Sequence, residues 1–438
     1  MSDGSRAAAI LDAFYRAGPP GNAAGATDGD GLKFDGQDFR AEALRPVTEG
    51  RTPPPGWWDP ERARVTLPSA DFKGRSLRSA NLSGAALERA DFAGADLADG
   101  KLRDAFLGGA SFDRALLEDT DLGGAHLRFA TFREGVLEGA SLRAADLWGA
   151  KLPEADADKA DFRDAQLEEA DFRDADAREA DFRGAKLGLT DFRGADLRMS
   201  DFRGCVPRGT KFDRADLRRT NLEQVDLSNT SLTHVWLSDA HLDRTRFHRE
   251  QLGGMIGEEG AGEYELARRG YLALERNFAA TGDPTAASWA YRRRRRMEKL
   301  SARRRAGEAV RARQWVKAAG LGLSYLNHKL VELVCDYGES VPRVIATQVA
   351  VLLVYTAVYG VLGGVTRDDP DEAGGRPVTR TPIALARYGL TAMVAPGDPP
   401  EGLHPADDAI HLVTLSQSYL GIFLIGLLGF VAGNRIRR

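Results

Sequence analysis

A five-residue repeat dominates the middle of this chain and limits what it can fold into. Between residues 72 and 247 the repeat has 36 central positions at an unbroken spacing of five, of which 22 are Leu and 11 are Phe. The exceptions are Ala157, Ala177 and Pro207. A small residue, usually Ala, lies two positions before most centres. A period of five fits neither a helix nor a strand, and a short fixed period over this length predicts a solenoid.

A second spacing sets the size of one turn of the solenoid. Phe recurs every 20 residues, at 72, 92, 112 and 132, and again at 162, 182 and 202. Because equivalent side chains stack in a solenoid, we expect four quintets to form one turn. Nine turns at a spacing of about 4.8 Å then give a rod roughly 43 Å long. The bulky centres point inward and fill the interior, so the rod itself cannot be a pore.

The quintets read Ala-Asp-Phe-Arg-Gly or Ala-Asp-Leu-x-x, and this pattern resembles the pentapeptide-repeat family. The resemblance implies a right-handed quadrilateral β-helix, which we assign to residues 67–252 of a multidomain protein. Residues 1–66 would then supply an N-terminal helix, a partial coil and a linker. The linker, 45–68, is rich in Pro and Trp and breaks the repeat. The partial coil is predicted from three centres at the same spacing, Phe34, Phe39 and Leu44.

The charges of the rod weigh against several functions. Residues 71–250 hold 35 acidic and 28 basic residues with interleaved signs, a net charge of −7. Some members of the family that the chain resembles mimic DNA and bind topoisomerases, which requires a strongly acidic rod. We therefore do not expect DNA mimicry here, whereas an unknown protein partner on the rod stays open. The chain has no HExxH, GxSxG or phosphate-binding lysine motif, so we expect no enzyme, no cofactor and no metal site.

Residues 253–340 are predicted to form a basic helical connector. Apolar residues recur at steps of three and four from Tyr264 to Phe278, which is typical of an amphipathic helix. Gly282-Asp283-Pro284 combines a helix stop with a helix start, so a second helix is predicted from Pro284.

The second helix is strongly basic, with a net charge of +11 over residues 292–329. Nucleic acid, an anionic membrane leaflet and plain solvent are three interpretations of such a segment. The apolar stretches that follow favour the leaflet, which attracts each basic residue by about 1 kcal/mol, and make nucleic acid an unexpected partner. The predicted membrane-surface basic cluster comprises Arg292, Arg293, Arg294, Arg295, Arg296, Arg303, Arg304 and Arg305.

Two uncharged stretches near the C-terminus, 344–365 and 409–433, are each long enough to cross a hydrocarbon core of about 30 Å. Basic residues precede the first stretch and follow the second, which places both ends of this 341–438 domain on the inner side. The sequence therefore predicts a multi-pass protein of the cell (inner) membrane. Its rod and C-terminus would be cytoplasmic, and the loop 366–408 would be external.

Within that loop, 381–394 predicts a short helix and 395–400 a turn. Two spans with a re-entrant helix between them resemble the two-span potassium-channel-like pore found in some prokaryotic pentapeptide-repeat membrane proteins. Ala395 and Pro396 stand where a potassium filter has Gly and Tyr, so a non-selective pore and a lost pore are both open. The resemblance gives these pore or filter candidates: Thr391, Met393, Val394, Ala395, Pro396, Gly397 and Asp398.

The second stretch supplies further candidates for pore-lining or gating positions: Gln417, Ser418, Gly421 and Gly426. Polar groups in spans usually face the interior of a helix bundle. We therefore predict an oligomeric, tetrameric channel for monovalent cations, with the rod acting in assembly or gating. Two alternatives are a non-conducting membrane-anchored scaffold and a membrane-disrupting effector controlled by its rod.

Overall fold

The structure is a computed structural model that describes residues 6–12, 35–39, 58–59, 62, 64–367, 378–395, 403–406 and 408–437. The chain divides into two compact units, Met1–Met297 and Glu298–Arg438. The first unit contains a short helix, α1 (6–12), a two-stranded hairpin, and the repeat. The hairpin pairs β1 (Trp58–Asp59) with β2 (Arg64–Val65) in antiparallel register.

The repeat forms a coil in which quintets pair with those 20 residues further on, at almost every step. Asp71 forms a parallel bridge with Asp91, and the same step continues to the pair Asp226 and Arg246. The Phe72 N–H donates to the Asp91 carbonyl at 2.7 Å, and the Asp91 N–H donates to the Ala70 carbonyl at 2.8 Å. The prediction of four quintets per turn is confirmed.

The centres of the quintets fill the coil. The rings of Phe92 and Phe112 stack with centroids 4.9 Å apart and planes within 1°, and those of Phe162 and Phe182 lie 5.0 Å apart. These rings are buried, as are the alanines two positions before the centres from Ala80 onward. The repeat therefore holds its apolar side chains along one continuous core, as predicted.

Each quintet turns through a residue with a left-handed backbone. The Arg75 N–H donates to the Phe72 carbonyl at 2.9 Å, and the intervening Gly74 has φ +62°. A positive φ at the third position of a β-turn normally calls for glycine. Between residues 69 and 244, however, 24 of the 35 residues with this backbone are not glycine. The stacked hydrogen bonds impose this conformation, which costs about 1–2 kcal/mol for an ordinary residue.

The start of the coil includes a segment from far upstream. Asp38 bridges Asn81, 43 residues later, and the Phe39 side chain is fully buried. Phe39 thus occupies a centre of the coil, in agreement with the prediction for this residue. Phe34, Leu44 and most of the predicted linker lie outside the described residues.

Helices close the C-terminal end of the coil after a 3₁₀ turn at Arg249–Leu252: α2 (Gly257–Gly260) and α3 (Tyr264–Ala280). Buried Glu258 of α2 accepts hydrogen bonds on Oε1 from the backbone N–H groups of Leu237 at 2.8 Å and Ser238 at 2.6 Å. Asn277 of α3 donates to the Thr245 carbonyl at 2.9 Å. These side chains satisfy backbone groups at the exposed edge of the last coils, where no further coil follows.

Two predicted helices are confirmed in this region. The amphipathic helix is α3, whose buried face includes Ala267, Tyr271 and Leu274. The basic helix is α4 (Pro284–Arg311), and its start is capped by Asp283, whose Oδ1 accepts the Ala286 N–H at 2.9 Å.

The second unit is mainly helical, and the three short strands of a small sheet lie between its helices in the sequence. The elements are α5 (Trp315–Cys335), a 3₁₀ turn at Asp336–Gly338, α6 (Val341–Leu362), β3 (Val365–Arg367), β4 (Val378–Thr379), α7 (Pro382–Val394), β5 (Leu403–Pro405) and α8 (Asp408–Arg437). The sheet is antiparallel in the order β4-β3-β5. Helices α6 and α8 are long and apolar enough to cross a membrane.

The helix bounds differ slightly from the sequence prediction. The first apolar stretch was predicted at 344–365, but α6 starts at Val341 and stops at Leu362. Gly363 and Gly364 follow with φ +136° and +84°, and a helix cannot continue through such a backbone. The apolar stretch continues past them into β3.

Candidate functional site

The short helix α7 packs between the two long apolar helices of the second unit. A Cβ atom built on Gly389 of α7 would lie 3.2 Å from Leu352 Cδ1 of α6 and 3.2 Å from Gln417 Nε2 of α8. A Cβ built on Gly421 of α8 would lie 2.3 Å from the Met393 carbonyl oxygen of α7. Glycine at these two positions therefore allows the helix backbones to approach closely.

Polar side chains fix this packing from inside. The Tyr359 hydroxyl of α6 donates to Gln417 Oε1 at 2.6 Å, and Gln417 is fully buried. The Tyr388 hydroxyl of α7 lies 3.2 Å from Thr414 Oγ1 of α8. The Tyr359 and Tyr388 rings meet edge to face with centroids 5.4 Å apart. The three helices therefore share a hydrogen-bonded core in addition to apolar contacts.

Helices α7 and α8 both begin at the end of the core that lies beside the small sheet. Helix α7 begins three residues after β4, and α8 begins three residues after β5, so both start beside the small sheet. The C-terminal end of α7 packs on Gly421, which is 13 residues, or about 20 Å, along α8. After α7 the described chain resumes at Leu403 of β5, which belongs to the same small sheet as β4.

The structure describes part of the predicted filter. Met393 is buried against α8, whereas Val394 is 62% exposed at the end of α7. The Thr391 hydroxyl donates to the Arg387 carbonyl of its own helix at 3.1 Å, and Ala395 is exposed. Pro396, Gly397 and Asp398 lie outside the described residues.

The four predicted pore-lining or gating positions separate into two groups. Gln417, Ser418 and Gly421 are buried within the chain's own helix packing, and Gln417 and Gly421 lie against α7. The hydrogen bond between Tyr359 and Gln417 joins residues 58 apart in the sequence, and the pore-lining or gating role of these positions stays a prediction. Gly426 is exposed, and a Cβ built on it would meet nothing within 4 Å.

The predicted basic cluster is partly engaged in ion pairs. In the first unit, Arg293 pairs with Glu259 at 2.7 Å and Arg294 with Glu275 at 2.8 Å. These two arginines therefore tie α4 to the helices that close the coil. In the second unit, Arg303, Arg304 and Arg305 are exposed, as is Arg296 in the first.

The rod surface carries ladders of alternating Asp and Arg that sequence analysis did not recognise. Arg203 binds Asp201 with two hydrogen bonds, at 3.0 Å from Nε and 2.6 Å from Nη2, and Arg183 Nε of the preceding turn lies 3.8 Å from the same carboxylate. Partial burial raises the pKa of Asp201, but hydrogen bonds from Arg203 outweigh it and hold the pKa below its usual value. The signal was present, because Asp and Arg two apart recur every 20 residues.

No group of three or more His, Cys, Asp or Glu side chains in the described part of the chain could hold a metal ion. The described site thus consists of packed helices and hydrogen-bonded tyrosines.

Comparison with known proteins covers the repeat. No curated protein matches the chain. Among solved structures, HetL, a pentapeptide repeat protein involved in heterocyst differentiation regulation in the cyanobacterium Nostoc sp. strain PCC 7120, is 23% identical over 54% of this chain and 94% of its own, with a TM-score of 0.24. A pentapeptide repeat protein of the Arabidopsis thaliana thylakoid lumen is 30% identical over 26% of this chain and 68% of its own, with a TM-score of 0.17.

A third structure, full-length QnrB1, a plasmid-mediated fluoroquinolone resistance protein, is 17% identical over 43% of this chain and 96% of its own, with a TM-score of 0.19. The family model for pentapeptide repeats matches eight copies, over residues 70–109, 110–149, 140–176, 170–206 and 210–249. With its quintets, its 20-residue turns and these matches, the chain belongs to the pentapeptide repeat family.

Proposed function

We propose that this protein is an oligomeric ion channel of the cell membrane, with its pentapeptide-repeat rod in the cytoplasm acting in assembly or gating. The observation that carries the proposal is the path of α7. This helix ends about 20 Å along α8, and the chain then returns to the sheet from which it came. In channels a short helix of this kind leads to the ion filter, so we assign the filter candidates at and after the end of α7 to a pore.

The exposure of the long helices supports a membrane location. Of the most apolar 18-residue stretch in each, only 11% is buried in α6 and 28% in α8. A core helix of a soluble protein buries its apolar face, whereas here Leu353, Val361 and Phe423 are 63%, 84% and 64% exposed. Apolar surface of this extent fits lipid or neighbouring subunits. The basic flanks assign the inner side to the rod and the C-terminus.

A closed pore requires several copies, because one chain contributes one re-entrant segment. Four copies around an axis would place four such segments at the centre, and Gly426, Gly429 and Gly433 offer an open face of α8 for contact between copies. With Ala395 and Pro396 at the filter, we assign the pore to monovalent cations without selectivity for potassium.

The test is ion flux through liposomes containing the purified full-length protein, together with the mass of the assembly. In the variant Gly421→Ala, the new Cβ would lie 2.3 Å from the Met393 carbonyl, so α7 must move. We expect at least a tenfold loss of flux. Gly426→Ala on the same helix is the control, since its Cβ meets nothing within 4 Å.

Equal losses in the two variants would assign the effect to helix flexibility and not to the position of α7. A monomer that passes no ions under any condition would overturn the proposal. That outcome would favour a non-conducting membrane-anchored scaffold, for which the absence of the Gly-Tyr pair at Ala395 and Pro396 is the motivating observation. Deleting residues 381–398 should then leave the scaffold's function intact.

A further inference from the structure

An open cavity of about 840 Å³ lies beside the first half of α6 in the second unit. We call it the α6 groove, and its apolar wall includes Ala346, Ala350, Val351 and Val354 of α6 and Leu420 of α8. Its volume falls within the range of about 300–1,000 Å³ that is typical of ligand sites.

One end of the α6 groove is charged. Lys329 of α5 and Arg343 of α6 line it, together with Glu332. The Glu332 carboxylate is paired with Lys299, and Arg343 pairs with Asp336 at 3.3 Å. Three cations thus face two carboxylates, each already in an ion pair, and the net charge of this end is positive.

The length of the groove matches one leaflet of a bilayer. Arg343 and Val354 are 11 residues apart on α6, or about 17 Å, close to half of a hydrocarbon core of about 30 Å. The charged end lies at the start of α6, where the span would meet the headgroup region, and the apolar wall extends from there toward the middle of the helix.

We infer that the α6 groove binds one anionic phospholipid, with its phosphate at Lys329 and Arg343 and an acyl chain along the apolar wall. The inference rests on the membrane location in the proposed function, and it adds a site for a lipid of defined charge. Such a lipid would contact α5, α6 and α8 together, and would therefore stabilise the arrangement of the helices around α7.

The test measures lipid binding to the full-length protein by native mass spectrometry after detergent exchange. The probes are phosphatidylglycerol and phosphatidylcholine with identical acyl chains, and glycerol 3-phosphate as the headgroup without a chain. We expect preferential binding of phosphatidylglycerol, and no binding of glycerol 3-phosphate at the same concentration. If glycerol 3-phosphate bound as strongly as phosphatidylglycerol, the inference that an acyl chain lies along the apolar wall would be overturned.

Two pairs of variants locate the site. Lys329→Gln should weaken phosphatidylglycerol binding about fivefold, whereas Lys317→Gln, on the same helix but outside the groove, should change it less than twofold. Ala350→Trp should fill the groove and reduce binding at least tenfold. Val361→Trp is its control, because Val361 is 84% exposed on the same helix and does not line the groove.

Equal binding of the two lipids, or no effect of Ala350→Trp, would overturn the inference. A change in the mass of the assembly caused by Ala350→Trp, with lipid binding unchanged, would assign the groove to a second copy of the chain and equally overturn it. Failure of the channel proposal can be distinguished from failure of the lipid site, because lipid binding is measured by mass and channel activity by ion flux. A protein that binds phosphatidylglycerol but passes no ions would retain the lipid site and lose the channel.

Discussion

The rod and the helical unit use apolar residues in opposite directions. In the rod, Phe92 and Phe182 lie fully buried at the centres of the quintets, and Asp and Arg cover the outside. In the helical unit, Leu353 and Phe423 point outward, while Gln417 and the Tyr359 hydroxyl form a hydrogen bond inside. One chain therefore contains one unit that buries its apolar side chains and one whose two long helices leave many of them exposed. This difference in exposure, which overall composition does not reveal, is what motivates the proposed membrane location of the helical unit.

The largest expected effect concerns the core of the rod. Phe182→Ala removes a ring stacked between Phe162 and Phe202, and should lower the free energy of unfolding by about 3–5 kcal/mol. Leu353→Ala in the helical unit is the comparison, since that side chain is 63% exposed and should cost far less. Chemical denaturation of the detergent-solubilised protein, followed by circular dichroism, measures both. Equal costs would contradict the opposite arrangement of the two units.

The closure of the coil by Glu258 gives the next effect. Glu258→Ala leaves the backbone N–H groups of Leu237 and Ser238 without their buried acceptor, so we expect a loss of about 2–4 kcal/mol in unfolding free energy. Glu258→Gln keeps an acceptor at that place and should cost much less. A loss in the Gln variant as large as in the Ala variant would show that the charge, and not the acceptor, closes the coil.

Glu258 also predicts a pH dependence with a definite sign. Burial raises the pKa of Glu258, against the opposing hydrogen bonds from Ser238 and Leu237. The folded rod therefore favours the protonated carboxyl. Its contribution to the free energy of unfolding is complete below the ordinary pKa of glutamate. It is lost as the pH rises through the raised value. The measurement is the melting temperature from about pH 4, near that ordinary pKa, to about pH 8. Over this range the melting temperature should fall less in Glu258→Gln than in the natural chain.

In the helical unit, Tyr359→Phe should lower the stability of the fold more than Tyr355→Phe does. The first change leaves the buried Gln417 Oε1 without its donor and should cost about 1–3 kcal/mol. The second removes a hydroxyl that meets Ser416 Oγ at 2.9 Å, but Ser416 keeps its hydrogen bond to the Val413 carbonyl at 2.7 Å. Thermal melting in detergent, with flux as a second measurement, compares the two variants. A cost that is the same for both would argue that Gln417 does not hold α7 in position.

The smallest effect is expected on the rod surface. The lowered pKa of Asp201 means that its ion pair stabilises the rod above the ordinary pKa of aspartate, and that this stability disappears as the pH falls through the lower folded value. Because the pair is largely exposed, Asp201→Asn should cost at most about 0.5 kcal/mol at neutral pH. The difference from the natural chain should vanish in acid. A persistent difference at low pH would assign the effect to packing and not to charge.

Local patterns predicted much of the fold correctly because they repeat or extend over many residues. The 20-residue step of Phe gave the turn of the coil, and the spacing from Tyr264 to Phe278 gave the buried face of α3. The short helix 381–394 corresponds to α7, Pro382–Val394. The filter prediction stays a prediction, since it depends in part on residues outside those described.

Long-range pairs were not predictable in the same way. Arg293 and Arg294 were assigned to a membrane-surface cluster, yet each has a glutamate partner 34 or 19 residues away. The left-handed turns on charged residues such as Arg89 and Asp164 were missed for a related reason. Nothing in a single quintet requires that backbone, and the hydrogen bonds of neighbouring coils impose it.

The sequence by itself determined which residues are apolar and at what period, and with them the coil, its core and the two long helices. Hydrophobic periodicity suffices for this, because burial depends on the side chain and on its spacing along the chain. Only the tertiary structure decided which groups meet: Glu258 with the last coils, Tyr359 with Gln417, and Met393 with Gly421. Such contacts depend on directions and distances between separate elements, and no local period records them.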